Sequence, residues 1–92
     1  MFNVMISTEE NFFKSKLVVD SFFFDEAKYD FAFYLIKVGE KEKIDARWYQ
    51  NNMSAVFDVT NMYGTFYIRC FIRDKEINNK RTFDSEKITI NV

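Results

Sequence analysis

The chain contains no histidine, so a catalytic triad built on an imidazole base and a histidine-ligated metal site are both excluded. Its sole cysteine, Cys70, is the only thiol nucleophile available. The parity of Cys70 within an alternating apolar run points it toward a core, and no candidate base neighbours it in sequence. It reads as a small core hydrophobe. Carboxylate pairs of the kind that do acid and base work in glycosidases occur as Asp25 with Glu26 and as Asp74 with Glu76. Both fall in segments expected to be solvated loops rather than walls of a cleft. Asp25, Glu26 and Asp30, brought beside Asp74, Glu76 and Asn78, would also supply several of the oxygens that calcium wants. Charged loop tips that keep a phenylalanine-rich chain dissolved are the simpler account. Nothing resembles a phosphate-cradling glycine loop. The expectation is a noncatalytic protein with no cofactor and no metal.

The chemistry that remains is aromatic. Twelve Phe, five Tyr and one Trp stand among 92 residues that are 48% apolar. A chain of this length forms one domain, expected to span 1–92, and has no room for a second core. Large side chains are what such a small domain must use to bury enough surface. Thirteen basic residues against fourteen acidic ones, for a net charge of −1, argue against nucleic acid as a partner. No apolar run approaches the ~18 residues of a membrane span, and the amino terminus lacks a basic region followed by an apolar block. A soluble chain without membrane contact is expected, with its compartment left open.

Proline is absent and glycine occurs only at Gly39 and Gly64, so element boundaries must come from alternation and charge. Phe2, Val4 and Ile6 share one parity and predict a first edge strand. Lys16 to Phe24 predicts a second, with Leu17, Val19 and Phe23 inward. A short helical turn within Thr8 to Lys16, capped by Thr8, is the alternative there. Tyr29 to Val38 is apolar on both faces, as a central strand is. Val38 to Glu42 predicts a hairpin turn leading into a strand from Lys43 to Tyr49, which Asn51 and Asn52 break. Ala55, Phe57 and Val59 give a short strand, and Asn61 to Gly64 a turn. Phe66, Ile68, Cys70 and Ile72 alternate with Thr65, Tyr67, Arg69, Phe71 and Arg73 in the longest strand. A polar loop from Lys75 to Arg81 and a last strand with Ile88, Ile90 and Val92 complete the chain. Seven strands at ~8 to 12 residue spacing predict an all-β, immunoglobulin-like or fibronectin type III-like antiparallel β-sandwich.

The stretch Gly64-Thr65-Phe66-Tyr67-Ile68-Arg69 followed by Phe71 resembles the glycine-to-strand entry of bacterial immunoglobulin-like modules. Phe31-Ala32-Phe33-Tyr34-Leu35 through Trp48-Tyr49 is similar to the three-tyrosine domain of bacterial sensor regulators. Together these cover about half the chain. The antibody cysteine pair is missing, with Ile68 where the second cysteine is expected, and Phe66 replaces the tyrosine-corner residue. The resemblance implies a noncatalytic spacer, docking or binding module within a larger protein, with no ligand specified.

If the strand parity holds, Tyr34, Ile36, Trp48, Tyr67 and Phe71 line up on the outward face of the central sheet with Arg69, Arg73 and Lys37 among them. Contiguous exposed aromatic area marks a surface that another molecule covers. One occupant is a neighbouring domain, a protein partner or a second copy, anchored on the aromatics with arginines at the rim. Another is a glycan stacked on Trp48 and the tyrosines. The third account leaves the face without a ligand, its aromatics simply packing on one another across strands. Docking predicts a flat face, and sugar binding predicts a groove with aromatic platforms beside polar groups. The triplet Asn52-Met53-Ser54 fits a glycosylation acceptor by pattern alone.

Overall fold

Residues 2–19 and 24–91 are described in the computed structural model, and they form an antiparallel β-sandwich. One sheet has the order β1 (Phe2–Glu9), β2 (Phe12–Val19), β5 (Ser54–Asp58). The other runs β4 (Asp45–Gln50), β3 (Tyr29–Lys37), β6 (Gly64–Asp74), with β7 (Lys80–Asp84) and β8 (Ile88–Ile90) on the far side of β6. β7 pairs with Arg69 to Arg73 and β8 with Gly64 to Phe66, so the two take successive halves of one edge. Ser85 bridges the break: its amide donates to Ile68 O (2.8 Å) and its hydroxyl accepts from Ile68 N–H (2.8 Å).

Period-two alternation builds the core. Phe13 and Leu17 of β2, Phe31, Phe33 and Leu35 of β3, Phe57 of β5, and Phe66, Ile68 and Cys70 of β6 are all fully buried. The rings of Phe13 and Phe66 meet edge to face across the two sheets, centroids 5.7 Å apart. Arg47 closes the side of the sandwich where β4 and β5 are the outermost strands. It lies opposite Phe33, places its guanidinium 4.7 Å from the Phe57 ring centre and donates to Val56 O (2.9 Å) in the other sheet. Gly64 opens β6 at φ +127°, a conformation L side chains rarely adopt.

The sandwich, the central place of β3, the edge place of β1 and the inward row of β6 follow the sequence expectations. Other boundaries move. The second strand starts at Phe12 rather than Lys16, because β1 and β2 form a tight hairpin in which Glu9 pairs with Phe12 around Glu10 and Asn11. Glu10 takes φ 54° there, a turn conformation that glycine or asparagine usually signals. The helical alternative over Thr8 to Lys16 is therefore replaced by strand and turn, with Phe13, Ser15 and Leu17 turned inward. Phe23 and Val92 fall outside the described residues. Lys43 lies in the β3–β4 loop, since β4 begins at Asp45. The polar loop expected through Arg81 ends earlier, because Lys80 and Arg81 already belong to β7. That strand is paired on one side and exposes Lys80, Arg81 and Thr82, so it lacks the apolar alternation by which strands are recognised.

Phe33→Ala is expected to cost about 3–5 kcal/mol of stability, read from the urea midpoint. Val56→Ala, on the outer face of β5, is expected to stay within about 0.5 kcal/mol of the parent.

Candidate binding face

Tyr34 and Ile36 on β3, and Tyr67, Arg69 and Phe71 on β6, alternate with the buried row and so share the outward face of the larger sheet. Cross-strand register sets their neighbours: Ile36 stands opposite Tyr67, Tyr34 opposite Arg69, and Ala32 opposite Phe71. Ala46 pairs with Tyr34, and the pairing of β3 with β4 slips between Phe31 and Phe33. This bulge sits at Trp48 and Tyr49 and brings Tyr49 to the outer face beside Trp48. The Trp48 ring meets Tyr34 edge to face (centroids 5.5 Å apart, 83° between planes), and Tyr49 lies under the Arg73 guanidinium (3.9 Å).

All six side chains expected on this face, Tyr34, Ile36, Trp48, Tyr67, Arg69 and Phe71, are on it. Their surroundings differ. Phe71 packs against Tyr34 (4.6 Å between centroids) and lies outside the open groove that the others line. That groove, about 740 Å³, is floored by Tyr34, Ile36, Trp48, Tyr67 and Arg69 and walled by residues 40–46. The face is thus not flat. Trp48 is 61% exposed, while Tyr34, Tyr67 and Phe71 are half-buried. The Lys43 ammonium stands over both the Tyr34 ring (4.9 Å) and the Trp48 ring (5.2 Å), and Arg69 stands over Tyr67 (5.8 Å).

Two arginine forks fix the polar part. Arg69 donates from Nε to Asp84 Oδ1 (2.8 Å) and from Nη2 to Asp84 Oδ2 (3.2 Å). Arg73 donates likewise to Asp30 at 3.0 and 2.6 Å, where the Asp30 side chain is only 14% exposed. Hydrogen bonds to these carboxylates raise both guanidinium pKa values, so both arginines stay charged throughout the ordinary pH range. Burial pushes the Tyr49 phenol up, against the opposing field of Arg73.

Tyr49 was not among the residues that strand alternation assigns to this face. Strict parity turns it inward from Trp48, and only the bulge, a property of pairing register, reverses that. Lys43 was missed because alternation extends β4 back to it.

The other candidates resolve into structural roles. Cys70 is completely buried, and burial pushes its thiol up to about 12, which keeps it protonated and unreactive at neutral pH. The loop bearing Asp25 and the loop bearing Asp74 do meet, through Lys75 N–H to Lys28 O (3.0 Å). Several of the aspartate oxygens have other partners, however. Asp25 accepts from Ala27 N–H, Asp74 from Glu76 and Ile77 N–H, and Asp30 holds Arg73. Lys75 places its own ammonium at this junction, bonded to Ala27 O and Asn51 Oδ1. Among the described residues no group of three or more acidic or thiol side chains is arranged for a metal ion. Asn52 caps Ser54, accepting from its amide (3.0 Å) and its hydroxyl (2.9 Å).

Among the described residues no helix is long and apolar enough to cross a membrane. Compared with known proteins, the chain matches no family model, no curated protein and no solved structure. The geometry of the face is what a functional reading has to stand on.

Arg73→Met is expected to lower the midpoint of chemical denaturation, since it leaves the mostly buried Asp30 carboxylate without its donor. Cys70 has its folded pKa raised, so the stability it contributes is full below its ordinary value of 9.0 and is lost as pH rises toward about 12. Thermal unfolding between those pH values should show a falling Tm, and Cys70→Val should flatten part of that decline.

Proposed function

We propose that the chain is a noncatalytic immunoglobulin-like module of a larger bacterial protein that docks a neighbouring domain or protein partner through the outward aromatic face of its larger sheet. The exposure of Trp48 carries this reading. A soluble domain gains nothing by holding its sole tryptophan 61% in water, and tryptophan and arginine are the side chains on which docking energy concentrates. Val38 and Ile44, in the loop that walls the groove, are also exposed and extend the apolar area around it. The arginines are held rigid by their forks before any partner arrives, which lowers the entropy lost on binding. The raised loop makes the receiving surface concave, so the docking element is a protruding segment rather than a flat counterpart.

The groove itself favours a second reading, a carbohydrate-binding module using Trp48 and the tyrosines. Sugar stacking needs bare ring faces, and here Arg69, held by its fork, stands over Tyr67, while Lys43 would first have to leave Tyr34 and Trp48. A protein partner can offer such rings both apolar side chains and cations, and is the better fit.

The test uses Trp48→Ala combined with Tyr67→Ala, in a variant whose thermal unfolding shows it folded. Docking to the neighbouring domain of the parent chain, followed by two-dimensional NMR, should weaken at least about 30-fold, the effect of losing one hot spot of about 2 kcal/mol. Unchanged docking would sink the proposal. A saccharide panel that shifts Trp48 and Tyr67 signals, while the neighbouring domain shifts none, would promote the carbohydrate module instead.

A further inference from the structure

Tyr34 and Trp48 stand nearly perpendicular, 83° between ring planes, and form a two-walled notch at the floor of the groove. The notch is occupied by the chain's own Lys43, whose ammonium lies 4.9 and 5.2 Å from the two ring centres. Ring faces carry negative potential, so two walls around one point make a receptor for positive charge. Nothing else holds Lys43 in place. Its ammonium has no carboxylate within ion-pair distance among the described residues, and no backbone hydrogen bond there fixes residues 41–43. The loop is anchored on either side of the tip instead, by Val38 N–H to Thr65 O (2.9 Å) and Ile44 N–H to Leu35 O (2.8 Å). Lys43 can therefore swing out with no loss beyond its two ring contacts.

The fixed charges around the groove are mostly paired with one another. Asp45 is bonded to Arg47 and to the Ala46 amide, and Arg69 is forked on Asp84. With Lys43 withdrawn, Glu40 and Glu42, neither in an ion pair among the described residues, stay on the groove wall beside Lys41, with Lys37 and Lys87 in the adjoining hollow. The two ring faces are then what the notch offers to a positive charge.

We infer that the Tyr34–Trp48 notch is a receptor for a lysine or arginine side chain of the docking partner, and that Lys43 is its resident placeholder, displaced when the partner inserts. This rests on the docking reading for the identity of the occupant, but cation binding is measurable in the isolated module. The placeholder also serves specificity, because a segment without a cation cannot replace the contacts that Lys43 gives up.

The probe is N-acetyl-lysine methylamide, with N-acetyl-norleucine methylamide as its uncharged counterpart, followed by the fluorescence and indole NMR signal of the sole tryptophan, Trp48. Lys43→Gln alters only an exposed loop side chain and should fold as the parent does, which thermal unfolding verifies. The lysine probe is expected to perturb Trp48 saturably in Lys43→Gln and to bind about two- to fivefold more weakly to the parent, the effect of competition from a cation–π contact of ordinary strength. Norleucine amide should give no saturable change. Equal response to the two probes, equal affinity in parent and Lys43→Gln, or no lysine binding to either would overturn the inference. If the lysine probe binds as expected while the neighbouring domain does not dock, the notch is a cation site and it is the docking reading that fails.

Discussion

Phe13 on one sheet and Phe66 on the other meet edge to face, and around that contact Phe31, Phe33 and Phe57 fill the space between the layers. A chain of 92 residues buries a modest fraction of its surface, so a few large side chains must supply most of the apolar burial that offsets chain entropy. Everything else follows from where those rings lie. Alternation that sends Phe31, Phe33 and Leu35 inward sends Tyr34 and Ile36 outward, and the same rule along β6 sends Tyr67, Arg69 and Phe71 out beside them. The aromatic face is thus the reverse side of the core, and its spacing is inherited from the ladder of β3 and β6.

Polar order on that face depends on cross-strand pairs. Asp30 stands opposite Arg73 and Arg69 opposite Asp84, so each guanidinium finds its carboxylate on the adjacent strand with little side-chain freedom left to lose. Surface ion pairs usually contribute little. Two-pronged geometry, the low exposure of Asp30 and the stacking of Arg73 on Tyr49 set this pair apart. The arginines are in consequence unavailable as free ligands for anions and act as rigid borders to the aromatic area.

Much of the architecture was legible because period two is a strong signal when one face is uniformly apolar. The inward row Phe66, Ile68, Cys70 and Ile72 could be read directly, and with it the outward placement of Tyr67, Arg69 and Phe71. Legibility ended where structure depends on pairing rather than on local pattern. β7 is a charged edge whose identity comes from hydrogen bonding to β6. The β1–β2 turn uses Glu10 where glycine would announce it. The bulge that brings Tyr49 beside Arg73 exists only relative to β3. Lys43 reaches the Tyr34–Trp48 notch from a loop whose path no propensity encodes. The site was therefore readable as a set of aromatic residues but not as a groove.

Arg47 closes more than the core. Its guanidinium bonds Ala46 O on β4 and Val56 O on β5, while Asp45 takes the Ala46 amide. β4 and β5 are the outermost strands on their side of the two sheets, and uncovered strand edges are templates for intermolecular pairing. A protein in which one residue in five is aromatic is especially exposed to that fate. Arg47 occupies one carbonyl on each of these strands, and Gln50 Nε2 takes Ser54 O of β5 as well, so protection of this flank rests on two side chains of β4. Loss of Arg47 would bare a carbonyl on each strand and be felt as a change in colloidal behaviour during folding and storage.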